Sequence, residues 1–147
     1  MKVLVPMDGS DPSRAALEHA LTTFPEAEVV VLHVIDIGSS YAYGGEMAYY
    51  IDTIREIGEE QAEEIFEEAQ TIAETYDREI STKCVEGSAS RSIVRVAEDI
   101  GIDHIVIGSH GRTGVTRILL GSVAERVTRR APVTVTVVRE WSSMHRT

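Results

Sequence analysis

The sequence predicts a three-layer α/β/α fold in which helices cover both faces of one doubly wound sheet of five parallel strands. Five short apolar runs alternate with four segments of helical periodicity, and this order is typical of consecutive β-α-β units. A length of 147 residues suits one domain. We assign residues 1–140 to that domain and residues 141–147 to a C-terminal tail.

The first two strands and the helix between them have clear signals. Residues 2–7 and 29–35 are nearly continuous apolar runs, as expected of strands buried on both faces of a sheet. After the first run, Ser10 or Asp11 is a good helix N-cap, and Pro12 suits the first helical turn. A helix is therefore expected between these two strands.

Residues 36–47 form the longest irregular segment, and a connection of that length in a small domain is either functional or mobile. A long helix over residues 48–76 is predicted next, and it carries seven glutamates between Glu56 and Glu68. The pairs Glu63-Glu64 and Glu67-Glu68 resemble metal ligands, but without a neighbouring histidine they favour a solvated helix face. Its apolar stripe is Ile51, Ile54, Ile65, Ala69, Ile72 and Ala73.

The remaining elements follow the same alternation. A third strand is expected over 79–85, and its Cys84 is interpreted as a small core residue. An amphipathic helix then ends at Gly101. A strand at 102–107, a helix from Gly121-Ser122 to Arg129-Arg130 and a strand at 132–138 complete the domain.

Composition excludes several classes of function. The formal net charge of −10 argues against nonspecific nucleic-acid binding and against docking to anionic membranes, which both need a cationic surface. We find no apolar run near the roughly 18 residues that span a bilayer, and the N-terminus lacks a signal-peptide profile. One cysteine excludes an internal disulfide, so a cytoplasmic protein is expected. The acidity fits either ordinary solubility or a salty host cytoplasm.

A glycine loop after the fourth strand suits a phosphate group. Gly108-Ser109-His110-Gly111 is followed nine residues later by Gly121-Ser122 at the start of a helix. Glycines let backbone N–H groups approach an anion, and a helix N-terminus adds a positive dipole end. Asp8 and Asp36 follow the first and second strands, so all three features are expected at the carboxyl ends of the strands, where such sheets bind ligands.

Two common nucleotide motifs do not match. A Walker loop needs Gly-Lys-Ser/Thr, which the sequence lacks, and the dinucleotide fingerprint should directly follow the first strand. Structural alternatives also remain open at four positions. Gly108 could permit a tight turn, and Gly121 could allow close helix–sheet packing. Asp8 could cap a helix, and His110 could be a catalytic base, a hydrogen-bond donor beside a phosphate or an exposed bystander.

The spacing Gly108-x2-Gly111-x9-Gly121-Ser122 resembles the ATP-binding motif of universal stress proteins. Residues 3–10, 32–36, 103–110 and 132–138 are similar to four strands of that family and their flanks, so the resemblance covers nearly the whole chain. It implies an adenine nucleotide alpha hydrolase-like fold with strand order 3-2-1-4-5. The turn after the third strand departs from the family pattern, because Ala89 stands where many members carry proline.

The resemblance also implies a ligand and its contacts. ATP, or AMP, would bind with Mg²⁺ or Mn²⁺, and the base would be held by the backbone at Val34. Asp8 would lie near the ribose or a phosphate-bound metal. Arg112 stands between the glycines, so it could either reach the phosphates or belong to a solvated loop. The expected nucleotide-binding residues are Pro6, Met7, Asp8, Val34, Ile107, Gly108, Ser109, Gly111, Arg112, Gly121, Ser122 and Val123, with Asp8 as the metal ligand.

The function implied by the resemblance is a nucleotide-dependent regulator of the stress response. A homodimer through the last strand and an unknown regulatory protein partner are implied with it. Two alternatives stay open, a slow ATP hydrolase and a family member that no longer binds nucleotide. A phosphorylation-dependent receiver is weak, because no phosphoacceptor aspartate follows the third strand and no lysine follows the fifth.

Overall fold

The computed structural model describes residues 1–37, 50–110 and 120–139. The predictions for Gly111, Arg112, most of the segment 36–47 and the tail 141–147 fall outside these ranges. In chain order the elements are β1 (Lys2–Pro6), α1 (Asp11–Thr23), β2 (Glu28–Ile35), α2 (Ile51–Thr75), β3 (Ile80–Glu86), α3 (Ala89–Asp99), β4 (His104–Gly108), α4 (Ser122–Arg130) and β5 (Thr134–Val138).

The five strands form one parallel sheet in the order β3-β2-β1-β4-β5, which confirms the predicted fold class. From β1 the chain builds outward to β2 and β3, then crosses back and builds β4 and β5 on the other side. The strand order therefore reverses between β1 and β4. In open α/β sheets that position is where ligands bind, outside the carboxyl ends of the strands.

Alternate residues of the central strands supply two separate cores. Val3 and Val5 of β1 pack in a cluster that also holds side chains of α1 and α2. Leu4, between them, packs in a second cluster with side chains of α3 and α4. Because β1 is buried on both faces, it reads in the sequence as a continuous apolar run.

Local capping fixes both ends of α1. The Ser13 N–H donates to the Ser10 hydroxyl oxygen at 3.3 Å, so Ser10 is the N-cap, one of the two residues that the sequence suggested. At the other end the Arg78 guanidinium donates to the carbonyl oxygens of Leu21 at 2.6 Å, Phe24 at 3.2 Å and Ala27 at 2.7 Å. One side chain thus satisfies three carbonyls around the helix C-terminus and the turn after it.

Helix α2 packs closely on β2 at Gly58, which lies against the side chain of Ile35. A Cβ at Gly58 would lie 2.5 Å from Ile35 Cγ2. The apolar stripe of α2 is buried or half-buried, whereas the seven glutamates from Glu56 to Glu68 are all exposed, as expected for a solvated face. Within the described ranges no helix has the length and apolar character needed to cross a bilayer.

The interpretation of Cys84 as a core residue is wrong. Cys84 is exposed, as are the three residues before it on β3. The reason is topological, because among the described strands β3 lies at the edge of the sheet and pairs with β2 alone. Partial burial and the carboxylates of Glu59 and Glu86 raise the pKa of the Cys84 thiol above its ordinary value.

Candidate functional site

A pocket of about 420 Å³ lies at the carboxyl ends of the strands, where the strand order reverses. That volume is within the range of small-molecule sites. Its walls bring together residues from β1, β2, β4 and α4 that are far apart in the sequence. The expected nucleotide-binding residues found there are Pro6, Met7, Asp8, Val34, Ile107, Gly108, Gly121, Ser122 and Val123.

The turn between β1 and α1 presents Asp8 to the pocket. Met7 is buried, and its N–H donates to the Leu32 carbonyl oxygen at 2.8 Å, one residue beyond the end of β1. The Asp8 carboxylate accepts the Ser10 N–H at 3.0 Å, which ties it to the start of α1. Gly9 has a φ of 83°, a conformation that L side chains rarely adopt, and this lets the chain turn sharply between Asp8 and Ser10.

Gly108, at the end of β4, and Gly121, before α4, have packing roles that can be read from the structure. A Cβ at Gly108 would lie 2.7 Å from the Pro12 carbonyl carbon in the first turn of α1. A Cβ at Gly121 would lie 2.9 Å from His110 Cα. Close packing therefore requires both glycines here, whether or not an anion binds.

Two N–H groups expected to hold phosphate are already used inside the protein. The Ser109 N–H donates to the Val138 carbonyl oxygen at 2.8 Å, so it extends the pairing of β4 with β5. The Gly121 N–H donates to the Ser109 carbonyl oxygen at 2.6 Å. Ser109 is buried and is not among the pocket-lining residues. These bonds tie Ser109 to β5 and to Gly121, so both N–H groups already have acceptors within the protein.

The N-terminus of α4 supplies amides that can bind an anion. Gly121 is its N-cap, no side chain of the described residues caps it, and the first helical bond runs from the Glu125 N–H to the Gly121 carbonyl oxygen at 2.9 Å. The N–H groups of the first helical turn have no carbonyl partner within the helix. Ser122 and Val123 of that turn line the pocket, so the positive end of α4 faces it.

Several pocket residues were not predicted as binding residues from the sequence. Ala89 and Ile93 at the start of α3 add an apolar wall, and Ser13 and His33 also contribute. His33 is 8% exposed, and its Nδ1 lies 2.8 Å from the Met7 carbonyl oxygen. The nearly continuous apolar run of β2 marks His33 as a buried position, but nothing in its spacing indicates that it reaches the end of β1.

His110 lies at the pocket beside Ser109. Its Nδ1 is 3.3 Å from the Ser109 hydroxyl oxygen, and the residue is half-buried. A ring in this position can donate to a bound anion. The contact with Ser109 orients the ring through its immediate neighbour in the chain.

The charged groups of the pocket suit a cation bound with an anionic ligand. Asp8 and Asp36 line it, and no lysine or arginine does among the residues that the structure describes. Carboxylate oxygens are the ligands that Mg²⁺ and Mn²⁺ prefer, and Mg²⁺ usually takes one or two carboxylates and completes its shell with phosphates and water. In the same part of the chain, no three His, Cys, Asp or Glu side chains converge as a metal cluster. Asp8 thus fits a metal ion held jointly with a phosphorylated ligand.

Known proteins share this sequence and this fold. The family model described as the universal stress protein family matches residues 1–139. Universal stress protein MJ0531 of Methanocaldococcus jannaschii is 38% identical over 141 residues, which cover 95% of this chain and 82% of that protein. The solved structure of MJ0577, from the same organism, is 33% identical with a TM-score of 0.81 and covers 97% of both chains.

A more distant structure shares the fold alone. The universal stress protein from Archaeoglobus fulgidus, solved in complex with dAMP, is 24% identical with a TM-score of 0.66, over 94% of this chain and 97% of that one. The match of sequence, strand order and overall fold leads to one conclusion. The chain belongs to the universal stress protein family.

Proposed function

We propose that this protein binds ATP, or another adenine nucleotide, together with Mg²⁺ or Mn²⁺, and that occupancy of the site regulates a stress response. The observation that carries the proposal is the pocket at the reversal of strand order, which is lined by the first turn of α4, an N-terminus that no side chain of the described residues caps. An apolar cleft and a positive helix end together suit a base joined to a phosphate chain. The dAMP complex of the Archaeoglobus fulgidus relative supports the class of ligand.

The pocket lining combines apolar side chains with helix N–H groups. Ala89 and Ile93 offer an apolar surface for the base, and Val34 also lines the pocket. Ser122 and Val123 offer the first-turn N–H groups of α4 to the phosphates. Since the described lining residues include two carboxylates and no lysine or arginine, we expect a divalent ion at Asp8 to offset the phosphate charge.

Titration calorimetry tests the proposal. ATP, AMP, dAMP, cyclic AMP and adenosine would each be titrated with and without Mg²⁺. We expect nucleotides to bind and to raise the unfolding temperature, and we expect Mg²⁺ to strengthen ATP binding most. An absence of heat and of thermal stabilisation with every ligand would remove the proposal.

A Ser122→Asp substitution separates phosphate recognition from folding. Ser122 is exposed, and an aspartate in the first turn of a helix is compatible with the helix dipole. The new charge should repel phosphates, so the Kd for ATP should rise by about tenfold or more while adenosine binding stays unchanged. Ser81→Asp, on the exposed edge strand, is the matched control for added charge. Equal ATP affinity in both variants would contradict the assignment of phosphates to α4.

Nucleotide hydrolysis is the alternative activity, and a phosphate-release assay on the same protein decides between the two. A tightly bound nucleotide that stays intact supports binding alone. Phosphate release by the wild type that is lost in Ser122→Asp would instead assign a hydrolase.

A homodimer through the edge strand β5 is a further part of the proposal, supported by the position of β5 at the edge of the described sheet. The proposal also includes a regulatory protein partner.

A further inference from the structure

His33 makes a hydrogen bond whose direction is fixed by its partner. Its Nδ1 lies 2.8 Å from the Met7 carbonyl oxygen, and the side chain is buried. A carbonyl oxygen can only accept, so the proton of this bond belongs to Nδ1 of the imidazole. The ring also lines the nucleotide pocket. His33 therefore joins β2 to the end of β1 at the wall of the pocket.

This bond stands where the strand pairing of β1 and β2 would otherwise continue. The last register pair is Pro6 with Leu32, and the Met7 N–H still donates to the Leu32 carbonyl oxygen at 2.8 Å. In a continued parallel ladder, the Met7 carbonyl would next accept the N–H of Val34, two residues further along β2. The imidazole takes that carbonyl instead, and Val34 borders the pocket.

The same bond sets the position of Asp8. Met7 is held at its N–H by Leu32 and at its carbonyl by His33, so the residue that follows leaves the sheet in a defined direction. The Asp8 carboxylate is then held from the far side by the Ser10 N–H at 3.0 Å. Loss of the imidazole would release the turn on one side only.

We infer that His33 is a positioning residue of the nucleotide site, which holds the Met7 carbonyl so that Asp8 faces the ligand and the main chain of Val34 stays open to the base. This inference rests on the proposed nucleotide binding. His33 acts through Met7, and so on Asp8 and Val34, and it needs no contact with the nucleotide. The required feature is a donor at the place of Nδ1.

Two substitutions at His33 test the role of that donor. Asparagine can place its amide N–H where Nδ1 stands, whereas leucine has a similar size and no donor. We expect His33→Leu to raise the Kd for ATP by about tenfold, as for a buried carbonyl left without its partner, and His33→Asn to stay close to the wild type. Val31→Ala is the control, because Val31 is fully buried two residues earlier on the same face of β2. It should lower stability without changing the Kd.

A ligand-free measurement keeps the test independent of binding. Two-bond ¹H–¹⁵N correlation spectra of the wild type at neutral pH should show the His33 ring protonated at Nδ1. A ring protonated only at Nε2 would overturn the inference. So would wild-type ATP affinity in His33→Leu, equal weakening in His33→Asn, or equal weakening in Val31→Ala. Failure of the wild type to bind any adenine nucleotide would instead overturn the proposed function itself.

Discussion

His104 links the stability of the fold to pH. It stands at the start of β4, its ring centroid lies 4.8 Å from that of Phe24, and its Nε2 lies 2.7 Å from the Thr136 hydroxyl oxygen. Burial, and then the nearby His19, lower the pKa of His104 below its ordinary value of 6.5. The protonated form is thus disfavoured in the folded state more than in the unfolded chain.

The sign of the pH effect follows from that shift. The unfolded state takes up the proton first as pH falls, so the contribution of His104 to stability is complete above pH 6.5 and is lost as pH falls from there through the folded-state pKa. We expect His104→Gln to show a shallower fall of Tm between neutral and mildly acidic pH. Thermal melts over that interval check this prediction. His19→Gln serves as a partial control, because it removes only the smaller of the two causes of the pKa shift. Identical slopes in His104→Gln and the wild type would contradict the assignment.

At the scale of single residues, the sequence predicts the positions of residues that directly follow a strand better than positions that depend on tertiary packing. Asp8 and Gly108 directly follow apolar strands, so their place at the carboxyl edge follows from the fold class. His33 meets the Met7 carbonyl just beyond the end of β1, and Cys84 is exposed on a strand at the edge of the described sheet. Neither fact is encoded in local spacing.

At the scale of elements, the contact between α2 and β2 decides the effect of a glycine substitution. Helix propensity alone predicts that Gly58→Ala stabilises the protein by roughly 1 kcal/mol. The added Cβ would lie 2.5 Å from Ile35 Cγ2, and both residues are buried. Overpacking costs about 1–3 kcal/mol, so we expect a net loss in the free energy of unfolding.

A double-mutant cycle checks this prediction by denaturant unfolding. In an Ile35→Ala background the obstructing methyl group is gone, so Gly58→Ala should cost much less or should stabilise. Gln61→Ala, on the exposed face of the same helix, is the control for propensity alone. A stabilising effect of Gly58→Ala in the wild-type background would show that the helix shifts away from β2 without cost.

Element order and type follow closely from the sequence, whereas element ends do not. β4 is expected over 102–107 but runs from His104 to Gly108, and β5 is expected from 132 but begins at Thr134. Apolar patterning reports which residues are buried, and burial extends beyond the paired part of a strand. Ile102, for example, is buried in the core before β4 begins.

At the scale of the whole molecule, charge is divided between the two helical layers. Helix α2 carries nine acidic side chains and one arginine, whereas α4 carries three arginines and one glutamate. Like charges on one exposed face repel each other, and added salt screens the repulsion within about 10 Å at 0.1 M ionic strength. We therefore expect the Tm to rise when NaCl is added to a low-salt buffer.

Two variants test whether α2 is the source of the salt effect. Neutralising Glu63 and Glu67 together, both as glutamine, should raise the Tm at low salt and weaken its dependence on NaCl. Glu125→Gln is the matched control, because Glu125 pairs with Arg129 at 2.9 Å and its loss removes an attraction. A wild-type Tm that is unchanged or falls with NaCl would show that repulsion among the acidic side chains of α2 is not the dominant electrostatic contribution to stability.

The packing contacts of Gly108 and Gly121 have a consequence for comparisons with related chains. Each is held by contact with its neighbours, Gly108 by Pro12 and Gly121 by His110. A relative without a bound nucleotide would still need both, because a Cβ at either position would displace Pro12 of α1 or His110. These two glycines therefore reflect the packing of the domain, and their presence in a relative does not by itself indicate that the relative binds a nucleotide.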